Sequence, residues 1–326
     1  MQKNALTISA YACVLGAFGS FFRWLQNQSA FDKETGLIEP SALNVLLPLI
    51  IIGSAVIFFY LIKKLKAEGL DAPTDIKSTL RGTSIFYPIA FYAIAGITVI
   101  GGLAVLFSAG KLGLAGGYRL IALLAILCGI TFPLICISSR KQYVPALVCV
   151  FMTLPIIMYC LWLIICYKVS ASNPTVWAYC IEILTVCAVI IAFYFTAGYP
   201  YGNAKPYHAI YSAMLAAFMC IVSLADSRSF GLQLILAGTA GMLIMEACMI
   251  ICNMRKSEAK PEIAPEAPAP EPESEEAEPE ETAETVIDAG EAESIPEPTI
   301  QAPEYKPQLD DKVDDILKEY RDSVDN

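Results

Sequence analysis

Residues 42–66 read ALNVLLPLIIIGSAVIFFYLIKKLK, an uncharged run from Ala42 to Ile62 closed by Lys63, Lys64 and Lys66. A helix needs about 20 mostly apolar residues to cross the hydrocarbon core of a bilayer, and this run supplies them. In lipid the backbone groups must be satisfied within the segment, and the run is too long for a barrel strand, so it reads as a transmembrane α-helix. Seven more runs of this kind follow the same rule, at about 5–24, 85–108, 120–138, 144–167, 177–197, 208–226 and 229–252. The expected fold is all-α: a polytopic bundle of eight transmembrane helices over residues 1–256.

Composition supports the division and extends it. The chain is 56% hydrophobic with a mean hydropathy of +0.55, too apolar for a soluble globule of 326 residues. Residues 1–256 hold 17 Lys and Arg against 9 Asp and Glu, whereas residues 257–326 hold 5 against 23. The acidic pI of 4.7 is therefore a property of the tail. All 11 cysteines lie in or beside the apolar runs, and no CxxC pair occurs, so they are expected to act as small hydrophobes. The first run is longer than a signal-peptide core and is expected to be retained.

Lys and Arg placement sets the orientation. With the N-terminus inside, eleven basic residues face the cytoplasm, led by the Lys63–Lys66 cluster, and six face outward: Arg23, Lys33, Lys111, Arg119, Lys168 and Arg228. Both termini are expected in the cytoplasm of a plasma-membrane protein, and Trp24, Trp177 and Tyr179 fall at the outer boundaries as aromatic anchors. Ala12, Gly16 and Ser20, and likewise Ala237 and Gly241, form small-residue faces suited to close packing within the bundle. Pro48, Pro88, Pro133 and Pro155 are expected to kink their helices. No internal repeat is visible between the first four runs and the last four.

Two acids interrupt the runs, Glu182 and Glu246. An acid inside a membrane is costly and marks a candidate for proton or cation coupling. Glu182 falls roughly 8 Å from the outer end of its run and Glu246 roughly 26 Å from its own, so a shared site is not expected. The blander alternative has each acid reaching water or pairing with a loop cation. The loop Gly198–His208 gathers three tyrosines beside the one histidine, His208, and reads as an interfacial belt before it reads as a binding loop. No HExxH, GxSxG, P-loop or dinucleotide-binding motif occurs, and one histidine cannot build a histidine-rich metal site. No enzyme, cofactor or nucleic-acid partner is expected, and the sequence sets no oligomeric state.

The segment Ser20-Phe21-Phe22-Arg23-Trp24-Leu25-Gln26, followed by Phe31-Asp32-Lys33-Glu34-Thr35-Gly36-Leu37, resembles the first span and outer loop of uncharacterised multi-pass membrane proteins from clostridial Firmicutes. The resemblance covers roughly the first 40 residues. It implies a bacterial plasma membrane and no particular activity.

Residues 257–308 are rich in Glu, Pro and Ala, and such low hydrophobicity with high charge predicts a disordered linker. In the final segment, 309–324, Leu309, Val313, Ile316, Leu317 and Tyr320 follow one stripe of an α-helix. A helix this short is marginal alone in water and would need a partner. Five acids against three bases over 309–321 disfavour a lipid surface and favour a groove on a cytosolic protein, with this chain's own Lys63–Arg81 loop as an alternative. Besides the lipid bilayer, such a protein is the expected partner. The sequence thus suggests first a membrane anchor or adaptor presenting this peptide, and second a small-solute transporter or permease using Glu182 or Glu246.

Overall fold

Phe230–Cys252 is apolar on all sides, and a helix of that kind has to be enclosed by others. The computed structural model, which describes residues 2–31, 39–80, 86–111, 114–140, 150–170 and 176–256, makes it the hub of a helical bundle. In chain order the elements are α1 Gln2–Ser29, α2 Leu43–Ala67, β1 Leu70–Asp71, α3 Ile76–Thr79, α4 Phe86–Ser108, α5 Ala115–Arg140, α6 Leu154–Ser170, α7 Val176–Ala197, α8 Pro206–Ser223, α9 Phe230–Cys252 and β2 Arg255–Lys256. Residues 257–308 and 309–324, with Leu309, Val313, Ile316, Leu317 and Tyr320, lie outside the described residues, as does most of the Phe31–Leu37 loop.

Among the described residues, seven helices are long and apolar enough to cross a membrane: Lys3–Ser29, Leu43–Ala67, Phe86–Lys111, Ala115–Leu134, Tyr179–Ala197, Pro206–Ser223 and Phe230–Cys252. The run expected at 144–167 differs. Its described helix, α6, starts only at Leu154 and has 17 residues, about 25 Å of rise. Val150 and Phe151 are also helical, and residues 152–153 form a turn between the two helical stretches in which the Thr153 amide and hydroxyl both bond the Val150 carbonyl. Pro155 follows in the first helical turn, where its missing N–H costs nothing. Pro88 likewise sits in the first turn of α4, so both prolines open helices instead of bending them; Pro48 and Pro133 are interior.

Packing follows the small residues. α9 lies against α4, α8 and α1; α8 also contacts α7, α1 and α2; α6 bridges α5 and α7. One stripe of α1, Ala5, Ile8, Ala12, Gly16 and Gly19, is buried at helical spacing. A Cβ on Gly16 would fall 2.9 Å from Ile221 and one on Gly19 2.7 Å from Val222, so these glycines set the α1–α8 approach. Away from that core the bundle presents bare hydrocarbon: Leu6, Phe18, Ile52, Phe59, Ile100 and Phe107 are all exposed. A surface so apolar over helices of this length has the make-up of a multi-pass membrane protein.

Contacts between helix ends fix their alternation. Asn4 at the start of α1 donates to Glu68 beyond α2 (3.1 Å), and Asn253 beyond α9 donates to the Thr79 carbonyl (2.6 Å). The Tyr207 hydroxyl donates to the Leu70 carbonyl, and β1 pairs antiparallel with β2, Leu70 opposite Lys256. The start of α1 and the end of α9 thus share one end of the bundle, here called the near end. That two-residue pairing is a small departure from the expected all-helical chain.

Candidate functional site

The α1 stripe continues one turn past Gly19 to Arg23 and then to Gln26, both fully buried. This brings a guanidinium to the far end of the bundle, beside the α8–α9 connection. The Arg23 Nε donates to Asp226 Oδ1 at 2.6 Å, and its Nη1 donates to Gln26 Oε1 at 2.7 Å. Gln26 passes the chain on to Asn44 Oδ1 of α2 at 2.9 Å. Asn27 donates to the Ala225 carbonyl at 3.1 Å and to Asp226 Oδ1 at 3.3 Å.

The second carboxylate oxygen of Asp226 accepts from Arg228 Nη2 at 2.8 Å, so one acid is shared by two arginines. Arg228 also donates to the Ser223 hydroxyl and carbonyl at 2.8 and 3.0 Å, and its Nε lies 3.2 Å from Glu182 Oε2. Glu182, from the first turns of α7, accepts the Trp162 indole N–H of α6 at 2.7 Å. Two arginines and two acids therefore balance, and together with Gln26, Asn44 and Trp162 they tie α1, α2, α6, α7 and the α8–α9 connection. Charge-assisted bonds of this shortness are the strong kind, whereas Arg228 Nε meets Glu182 as an ion pair without a hydrogen bond among the described residues. The Lys and Arg count places Arg23 and Arg228 among the six outward-facing cations; the structure pairs both with acids at the far end of the bundle. The signal for Arg23 was present: it falls on the i, i+4 continuation of the Gly16–Gly19 face.

Glu246 occupies a different place. It lies on α9 near the other end, is 2% exposed, and accepts from the Thr196 hydroxyl of α7 at 3.0 Å. Around it Phe132, Met152, Pro155, Phe193 and Met242 line a residual cavity of about 10 Å³, the size of one water at most. Tyr199, in the connection after α7, is also buried, and its hydroxyl has no hydrogen-bond partner among the described residues. Burial, and then the Glu246 charge, push that phenol well above its ordinary range. Among the described residues Glu246 meets no cation, whereas Glu182 pairs with Arg228.

The two acids are not brought together. Between them stands an aromatic column: Trp162 stacks on Tyr159 (centroids 5.6 Å apart), Tyr159 on Phe193 (6.5 Å), and Phe193 on Phe132 (6.4 Å). The Tyr159 hydroxyl is paired with Thr239 of α9 at 2.6 Å. His208 is exposed in the first turn of α8, its ring 5.6 Å from that of Phe195. The described cysteines are free, and among the described residues no three His, Cys, Asp or Glu side chains gather as a metal-ligand set. No family model, curated protein or solved structure matches the chain.

Proposed function

We propose that the helical bundle is a small-solute transporter or permease in which Glu246 binds the coupling proton. The observation that carries this reading is the enclosure of Glu246 on α9, where the one donor among the described residues is the Thr196 hydroxyl. Structural acids in proteins are paired or multiply hydrogen-bonded, and an intramembrane acid with so little support marks a coupling group. A metal cation fits less well: Ca²⁺ takes six to eight oxygen ligands, and here the described neighbours supply the Thr196 and Tyr199 hydroxyls. Glu182, held by Arg228 and Trp162, is assigned to the far-end network and not to coupling.

The near end is taken as cytoplasmic, with α6 as the eighth crossing. Of the six cations counted on the far side, Arg23 and Arg228 are neutralised by Asp226 and Glu182, which steepens the basic bias toward the near end. Proton-driven charge movement in proteoliposomes, screened across small-solute classes on a supported membrane, tests the reading. Currents in the wild type that vanish in Glu246→Gln and survive in Thr196→Val at reduced size support it. Currents unchanged in Glu246→Gln remove it.

A second reading, the membrane adaptor, rests on the Leu309, Val313, Ile316, Leu317 and Tyr320 stripe. It is compatible with transport, since a soluble tail leaves the bundle chemistry untouched. Crosslinking from the last fifteen residues to a cytosolic protein, abolished by Ile316→Asp, would support it. Equal crosslinking by both chains would remove it.

A further inference from the structure

α2 and α7 both pack on α8, and between them a groove of about 740 Å³ stays open on the outer surface of the bundle. Its walls are Ile52 and Phe59 of α2 and Leu184 and Ile191 of α7, with His208 and Leu215 of α8 along its floor. Almost all of this lining is hydrocarbon. Along α8 it runs from His208 to Met219, eleven residues or about 16 Å of helix rise, which is half of a ~30 Å hydrocarbon core. The groove therefore has the length of one leaflet.

Its near-end mouth is basic. Lys63 and Lys66 follow Ile52, Val56 and Phe59 at helical spacing on the same α2 face, and His208 closes the groove at the start of α8; all three are exposed. Lys66 stands 5.9 Å from the centroid of the Tyr207 ring. The connection from α7 to α8, residues 198–205, contains no acid, and the last turn of α2 ends in Glu68, which is engaged by Asn4.

We propose that this groove binds one anionic phospholipid of the near-end leaflet, an acyl chain lying along α8 and the phosphate held by Lys63 and Lys66. Charge complementarity selects the occupant. A second copy of the chain or a neutral apolar solute would use the hydrocarbon walls but gain nothing from the lysines. Basic residues at a membrane boundary each add attraction for anionic headgroups, which is what the mouth offers. The groove shares no lining residue with the Glu246 cavity.

Native mass spectrometry of the full chain, released from mixed phosphatidylglycerol and phosphatidylcholine micelles with identical acyl chains, tests it. The expected result is one retained lipid with about a tenfold preference for phosphatidylglycerol. Lys63→Gln/Lys66→Gln, both exposed positions, should reduce that preference to near parity while leaving the helical content unchanged. Ala188→Trp, which fills the groove from α7, should abolish retention of both lipids. Ala55→Trp fills it from α2, so that one variant failing to fold leaves the test intact. Equal retention of the two lipids by the wild type overturns the proposal. So does a preference that survives loss of both lysines, or a dimer that the Trp variants dissociate.

Discussion

Arg23 Nε and Asp226 Oδ1 lie 2.6 Å apart although 203 positions separate the two residues in the chain. The pair joins the end of α1 to the α8–α9 connection, and Asp226 carries Arg228 as well. Removing one member of a buried pair leaves an uncompensated charge, at a cost of about 3–5 kcal/mol. Asp226→Asn and Arg23→Gln should each lower the detergent-solubilised melting temperature strongly. The double variant should lose clearly less than the sum, because the second change removes the charge that the first stranded. Additive losses would show that the two side chains do not act on one another.

Trp162 separates two roles of one ring. Its face stacks on Tyr159, and its N–H serves Glu182. Trp162→Phe keeps an aromatic face but withdraws the donor from a charged acceptor, for an expected loss of about 1.5–3 kcal/mol. Tyr159→Phe withdraws one hydroxyl from Thr239, which still donates to the Ile235 carbonyl at 2.9 Å. That loss should stay near 1 kcal/mol. Chemical denaturation of the two variants in one detergent gives the order; a reversed order would place the main interaction elsewhere.

The spans were legible because a run such as Ala42–Ile62 has no soluble alternative, and Glu246 was legible because an acid stands out in such a run. What Glu246 meets was not, since Thr196 lies 50 positions away on another helix. Arg23 misled for a related reason. A cation near a span end looks like a flanking charge, and only packing of the Ala12–Gly16–Gly19 face turns it inward onto Asp226. The break before α6 escaped because a hydropathy run does not register the turn at 152–153, whereas Pro155 in the first helical turn does mark it.

Glycines on α9 give a sharper contrast. A Cβ on Gly231 would lie 2.7 Å from the Val105 backbone nitrogen and 2.8 Å from the Gly101 oxygen, so the helix backbones themselves would have to part. Gly231→Ala is expected to cost about 1–3 kcal/mol by overpacking. Gly53, on α2, has nothing within 4 Å of the same position. Gly53→Ala should be neutral or stabilising by up to about 1 kcal/mol, since alanine is the better helix former. Melting curves of the two variants with opposite signs would confirm the α4–α9 approach; equal losses would contradict it.

The end-to-end arrangement makes a prediction for living membranes. Asn4, Glu68 and Lys205 share the near end through the Asn4–Glu68 and Tyr207–Leu70 bonds, while Glu39 and Lys111 belong to the far end, where Val105 of α4 meets Gly231 at the start of α9. In a background without native cysteines, single cysteines at 39 and 111 should react with a membrane-impermeant maleimide added to intact cells. Those at 4, 68 and 205 should react only after permeabilisation, given the basic bias toward the near end. Labelling of one set and not the other requires an even number of crossings between Asn4 and Lys205 once α6 is included. Position 111 lies before α6 and position 205 after it, so equal labelling of these two would show that the 17-residue helix does not complete a crossing.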